Sequence, residues 1–220
     1  MTRVNPFRPK SPVAPGMFVG RLAQVDAIEE ALLQTRAGRP KRFMLTGERG
    51  IGKTFLLQYF KWVAQERIAI GDADKVNFLV VQLDLDASST DVGLIRRFEL
   101  GLKRELSKTE PARSFLSSGW EFLKRVEAFG VSLRDDERPM DPETLHDKFA
   151  HSLAVTASRI AEADAPSVFG AKYDGVLLLI DEADNAPKSL RLGAFLKLLV
   201  ERVQRHGCEL RMGVKSLFLT

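Results

Sequence analysis

From Arg21 onward the apolar positions Leu22, Val25, Ile28 and Leu32 recur at three- and four-residue steps, the spacing of one helix face, and Gly38 can end that helix. The pattern then shortens. RFMLT, residues 42–46, predicts a buried strand, and FLLQYFKWV predicts a helix from about Lys53 to Ile70. VNFLVVQLDL, residues 76–85, predicts a second strand, with a helix over Leu94 to Leu106 after it. Ser107 to Met140 mixes polar residues with Pro111, Pro139 and a short amphipathic piece, Trp120 to Phe129, and reads as an insertion with partial helix. Asp141 or Pro142 opens a helix reaching about Ala163. Tyr173 to Ile180 predicts a third strand, Pro187 to Gly207 a helix, and Glu209 to Val214 a fourth strand. Such alternation predicts an α/β fold, a parallel sheet covered on both faces. Pro6, Pro9, Pro12 and Pro15 fix φ and remove donors, so residues 1–17 are expected as an extended arm before a core over 18–220.

Between the first strand and its helix stands GERGIGKT. Gly47, Glu48, Arg49, Gly50, Ile51, Gly52, Lys53 and Thr54 match G-x-x-x-x-G-K-[ST] in full. Glycines let backbone N–H groups converge on phosphate oxygens with no Cβ in the way. A helix starting at Lys53 adds unpaired amides and the positive end of its dipole. Lys53 would supply a mobile cation for the β and γ phosphates, and Thr54 a hydroxyl for magnesium. A turn that merely needs flexible residues is the bland alternative. The strand before and the helix after favour phosphate.

GVLLLIDEAD, residues 175–184, is a continuous apolar strand that ends in carboxylates. In a parallel sheet, ligands gather at the carboxyl ends of strands. Asp181 would hold magnesium there, through water, and Glu182 would position and deprotonate an attacking water. The competing reading makes DEAD a helix cap, but Pro187 at a first helical position would shift the cap to Asp184 or Ala186.

The glycine loop, the acidic strand end and FVGR at 18–21 resemble the AAA+ class of P-loop ATPases, nearest to the bacterial and archaeal ATPases related to origin-recognition and STAND-type proteins. In that group an Asn-Pro-Phe arm, here Asn5 to Phe7, and a Phe-Val-Gly-Arg box precede the first helix. The resemblance implies a three-layer fold, ATP as ligand with Mg2+, ATP hydrolysis, and nucleotide state coupled to assembly or partner binding. It makes Phe18, Val19 and Gly20 candidates for adenine contact; a hydrophobic staple or helix-entry turn is the other reading of that box. The family continues past its fourth strand with a polar sensor, an arginine finger and a helical lid. Here the sensor position would fall at Val214, Lys215 and Ser216, and the sequence stops at KSLFLT. On that reading the isolated chain is expected to hydrolyse slowly, or to act as a nucleotide-binding scaffold or switch.

Composition adds bounds. The 220 residues are 45% hydrophobic and 28% charged, ordinary for a globular chain, and the longest clean apolar run, Val176 to Ile180, is too short for a bilayer. The first 16 residues lack the apolar segment of a secretory signal, and Cys208 is the only cysteine, so a cytoplasmic protein is expected. The net charge of +4 permits a nucleic-acid partner, but the basic residues are dispersed; Arg96, Arg97, Lys103 and Arg104 form the one basic helix face, read as solvated. A homo-oligomer or a protein partner stays open, and no membrane partner is expected. DEAD also spells a helicase motif, yet no serine-alanine-threonine motif follows it. His146 and His151 lie five apart and would not share a helix face as zinc ligands do. Arg202 and Arg205 are too ambiguous to name as a finger.

Overall fold

A computed structural model describes residues 21–39, 42–48, 51–67, 75–123, 141–209 and 216–219. Helix α1 runs Leu22–Arg36 and stops where Gly38 takes φ 83°, a left-handed conformation that suits glycine. Strand β1, Arg42–Phe43, is followed by the glycine loop and by α2, Lys53–Ala64. Strand β2, Phe78–Asp84, leads to α3, Asp91–Leu106, capped by the Thr90 hydroxyl, which accepts from Gly93 N at 3.1 Å. Then come α4, Glu110–Gly119, α5, Pro142–Arg159, and a short α6, Ala165–Phe169. Strand β3, Gly175–Asp181, two 3-10 turns (Ala183–Asn185 and Lys188–Leu190), α7 (Leu192–Glu209) and β4 (Ser216–Leu219) complete the order.

The sheet has the order β1-β4-β3-β2, and all three pairings are parallel. Parallel strands buried on both faces need apolar residues at every position rather than at alternate ones. VLLLI in β3 meets that need, with Val176 to Ile180 all buried. Alternation sorts the side chains. Phe78 and Val80 of β2 and Leu177 and Leu179 of β3 pack with α1 and α2; Leu79, Val81, Leu178 and Ile180 pack with the helices of the opposite face. The result is the expected three-layer α/β arrangement. Across α1 and α2 the Tyr59 hydroxyl donates to Glu29 at 3.0 Å, and burial together with that carboxylate pushes the phenol up to about 12.

Several boundaries depart from the sequence reading, each for a tertiary reason. The β1 ladder holds two residues, not RFMLT: its partner among the described residues is β4, whose last residue, Leu219, stands opposite Phe43. Helix α2 ends at Ala64 rather than Ile70, since Gln65 bridges to Asn77 and Glu66 turns to φ 59°. Pro111 does not break a helix but sits in the first turn of α4, where Thr109 caps it, accepting from Ala112 N and donating to the Val168 carbonyl. Pro187 is not the first residue of a long helix: its backbone is extended (ψ 145°), Arg191 takes φ 44°, and α7 begins only at Leu192. The same helix runs on to Glu209, the expected start of the fourth strand; residues 210–214 of that expectation lie outside the described residues, and the strand described there is Ser216–Leu219. The supposed arm, 1–17, lies outside the described residues, as does 124–140 of the supposed insertion.

Candidate functional site

The glycine loop leaves β1 at its carboxyl end and delivers the chain into α2. Gly52, just before the helix, has φ 92° and ψ 24°, which strains any residue with a Cβ. At Gly47 an added Cβ would stand 3.1 Å from Ile51 Cγ2, so a side chain there would crowd the loop. The first backbone bond of α2 runs from Leu56 N to the Gly52 carbonyl at 3.0 Å. The amides of Lys53 and Thr54 therefore stand ahead of the helical ladder, at the positive end of the helix dipole. Lys53 Nζ donates to the Gly47 carbonyl at 2.7 Å and to the Glu48 carbonyl at 3.2 Å, so the ammonium lies over the loop. Thr54 is exposed on the first turn of α2. A cradle that a Cβ would fill, a cation above it and a hydroxyl beside it suit a polyphosphate with its magnesium.

The acidic strand end lies at the same edge. Asp84 and Asp181, the last residues of β2 and β3, are partners in register. By alternation both fall on the face that carries α2, and Gln82, two residues before Asp84, accepts from Lys61 of α2 at 3.2 Å on that face. Asp181 Oδ1 accepts from Glu182 N at 2.9 Å. Glu182 itself sits at φ 54°, ψ 36°, a conformation uncommon for a residue with a Cβ and one that clusters at functional sites. Asn185 holds it there: its backbone N donates to the Glu182 carbonyl at 2.9 Å and its side-chain amide to Glu182 Oε2 at 3.0 Å. Glu182 precedes the 3-10 turn but makes no side-chain cap bond, so the cap reading of DEAD does not describe it.

The loop, Asp84 and Asp181 thus share one edge and one face of the sheet, with Glu182 next along the chain. Phe18, Val19, Gly20, Arg49 and Gly50 lie outside the described residues. Of the residues expected at the polar sensor position, Val214 and Lys215 lie outside the described residues, and Ser216 begins β4, whose described end, Leu219, pairs with Leu179. Two residues that touch these candidates went unread in the sequence. Asn185 looked like part of a polar turn, and Arg21, which donates from Nη2 to the Ile51 carbonyl, looked like the end of FVGR. Only the positive φ of Glu182 and a contact across 30 residues reveal them.

The remaining polar groups serve packing. Arg202, buried between α5 and α7, donates to the Glu143 carbonyl at 2.7 Å and pairs with Glu143 Oε1 at 3.2 Å, so it faces away from the loop as a structural tie. His146 meets Asp91 at 3.1 Å and the Phe195 ring, whereas His151 meets the His206 ring; the two do not converge. On α3, Arg97 bonds the Asp84 carbonyl and Asp86, and Arg104 pairs with Glu105, which offsets much of the basic face.

A parallel sheet between helical layers, with a glycine loop opening a helix at its carboxyl edge, defines a P-loop nucleotide-binding module. The model of the AAA ATPase domain family matches residues 17–209, and the chain belongs to that family. No curated protein and no solved structure gives a significant match. Among the described residues no helix is long and apolar enough to cross a membrane.

Proposed function

We propose that the chain binds ATP with magnesium and hydrolyses its terminal phosphate. The observation that carries this reading is the shared edge: Gly47, Lys53 and Thr54 on one side and Asp181 on the other, on one face of one sheet, with Glu182 adjoining Asp181. Residues 47–54 cradle the phosphates, and Lys53 supplies positive charge to the β and γ groups. Magnesium, held through Thr54 and Asp181, would supply charge neutralisation at those phosphates. Glu182 takes a proton from water as its oxygen bonds to the γ phosphorus and the bond to the bridging oxygen breaks, giving ADP and phosphate. Phe18, Val19 and Gly20 are assigned to the adenine. Coupling of nucleotide state to assembly or to a protein partner, in the manner of the origin-recognition-like and STAND-related ATPases, completes the proposal.

A second reading is a nucleotide-binding switch with little turnover. It is favoured by the hold of Asn185 on Glu182 Oε2, one of the two oxygens that would take the proton. Two variants and two assays separate the readings. Lys53→Ala should lose ATP affinity in a calorimetric titration while remaining folded; equal affinity would sink the phosphate site. Glu182→Gln should bind ATP like the parent but release phosphate about 10²-fold more slowly in a single turnover. A parental chain already as slow as the Gln variant would establish the switch.

A further inference from the structure

We propose that Arg21 is a positioning residue that braces the phosphate loop; the inference rests on the reading of residues 47–54 as a phosphate site. Arg21 stands at the N-cap of α1, with φ −134°, and its carbonyl accepts from Gln24 and Val25 N at 3.1 and 3.0 Å. A guanidinium has no acceptor with which to cap the open amides of its own helix. That of Arg21 reaches instead across 30 residues and donates to the carbonyl of Ile51.

The consequence follows from peptide planarity. In a trans peptide the carbonyl and the next N–H point in opposite directions. Fixing the Ile51 carbonyl on Arg21 therefore aims the Gly52 N–H away from α1. Gly52 is the residue with the freest backbone in that stretch, at φ 92° with no atom within 4 Å of a notional Cβ. A glycine loses more conformational freedom on ordering than any other residue. A loop that must be ordered by its ligand charges that entropy against affinity, and one ordered beforehand does not.

The loop has two limbs. Lys53 ties the first, at Gly47 and Glu48, but with the ammonium that the phosphates are to receive. Arg21 ties the second limb from outside, with a group that no phosphate need displace. The same contact joins the loop to the segment that carries Phe18, Val19 and Gly20, three residues earlier in the chain. A brace and a base-recognition residue are then distinguishable by ligand. A brace acts on any polyphosphate; a base-recognition residue acts only on a nucleotide.

The test compares magnesium-ATP with magnesium-tripolyphosphate, each titrated calorimetrically against the full chain and against Arg21→Ala, Arg21→Lys and Lys53→Ala. Loss of one charge-assisted hydrogen bond predicts that Arg21→Ala weakens both ligands by about tenfold. Arg21→Lys, which keeps a donor, should recover part of the loss for both. Weakened ATP with unchanged tripolyphosphate would overturn the brace and place Arg21 at the base end. Unchanged affinity for both in Arg21→Ala, with Lys53→Ala defective, would overturn the brace alone. Unchanged tripolyphosphate affinity in Lys53→Ala would instead overturn the phosphate-site reading beneath it. If Arg21→Ala does not fold, Arg21→Lys decides: binding of both ligands weaker than in the parent supports the brace, and binding of both equal to the parent overturns it.

Discussion

Among the described residues, one face of the sheet carries α1 and α2 over a small apolar cluster around Leu32, Leu56 and Phe60, while the other carries α3 to α7 over a much larger one. The thin face leaves apolar groups in the open near the loop, Met44 at 69% and Ile51 at 50% exposure. The thick face buries Phe98, Trp120, Phe149 and Phe195 in ring contact and keeps Arg202 and His206 among carboxylates. The polar groups at the site point toward the thin layer, where a ligand can reach backbone amides. On the thick layer Arg202 and His206 are paired with Glu143 and Asp147. A division follows: substitutions on the thick face should move stability, and substitutions at the thin-face edge should move binding and rate.

The largest expected effect is therefore structural. Phe149, 2% exposed, meets Phe98 edge-on at 5.3 Å, Trp120 at 5.8 Å and Phe195 at 6.4 Å. Phe149→Ala should cost about 3–5 kcal/mol in denaturant unfolding, through lost burial and a cavity. That is a large part of the roughly 5–15 kcal/mol typical of a domain. ATP affinity of the folded fraction should stay parental. A small stability loss accompanied by weaker ATP binding would break the division between the faces.

A finer test lies at the contact of α3 with the sheet. A Cβ at Gly101 would meet Val81 Cγ1 at 2.7 Å, and Val81 is fully buried. Alanine in a helix interior gains about 1 kcal/mol over glycine. Overpacking costs about 1–3 kcal/mol, and a β-branched valine has little freedom to move aside. The clash should win, so Gly101→Ala is expected to destabilise. Combining it with Val81→Ala should recover part of the loss, read as a positive coupling in a double-mutant cycle. A stabilised single variant would mean that α3 can lift from β2 at no cost.

The thin-face chemistry was more legible in the sequence than the thick-face packing, for a physical reason. GERGIGKT and GVLLLIDEAD are local: a loop that needs glycine and a strand that needs apolar residues on both faces announce themselves within ten residues. The element types and the three layers followed from the same periodicities. What stayed illegible depends on partners far along the chain. Pro111 opens a helix because Thr109 reaches the Val168 carbonyl, and α2 stops early because Gln65 finds Asn77. Strand β4 likewise takes its register from β1 and β3, partners far back in the chain. At the site, Gly47, Lys53, Asp181 and Glu182 could be named from spacing. Asn185 and Arg21 could not, since their meaning lies in the atom each one touches.

The smallest effect concerns a polar device on the turn from β2 into α3. Asp86 Oδ1 accepts from the Ser88 hydroxyl at 2.6 Å and from Ser88 N at 2.8 Å, and Oδ2 accepts from Arg97 at 3.1 Å. These bonds favour the carboxylate, the Ser88 hydroxyl most and then Arg97, and hold Asp86 at about 2 instead of 3.8. A folded value below the unfolded one fixes the sign: its stabilising contribution is fully present above pH 3.8 and is lost as the pH falls toward about 2. Ser88→Ala keeps the backbone donor but removes the hydroxyl, so the Asp86 titration followed by carboxyl-carbon NMR should move up toward 3.8. Arg97→Ala should move it up by less, and Lys53→Ala, which takes no part in these bonds, should leave it in place. A larger rise from Arg97→Ala than from Ser88→Ala would mean that the turn is held by the ion pair across to α3 rather than by its own hydroxyl. A rise from Lys53→Ala would mean that the two faces are coupled through the carboxyl edge, and the division between them would then fail where the site stands.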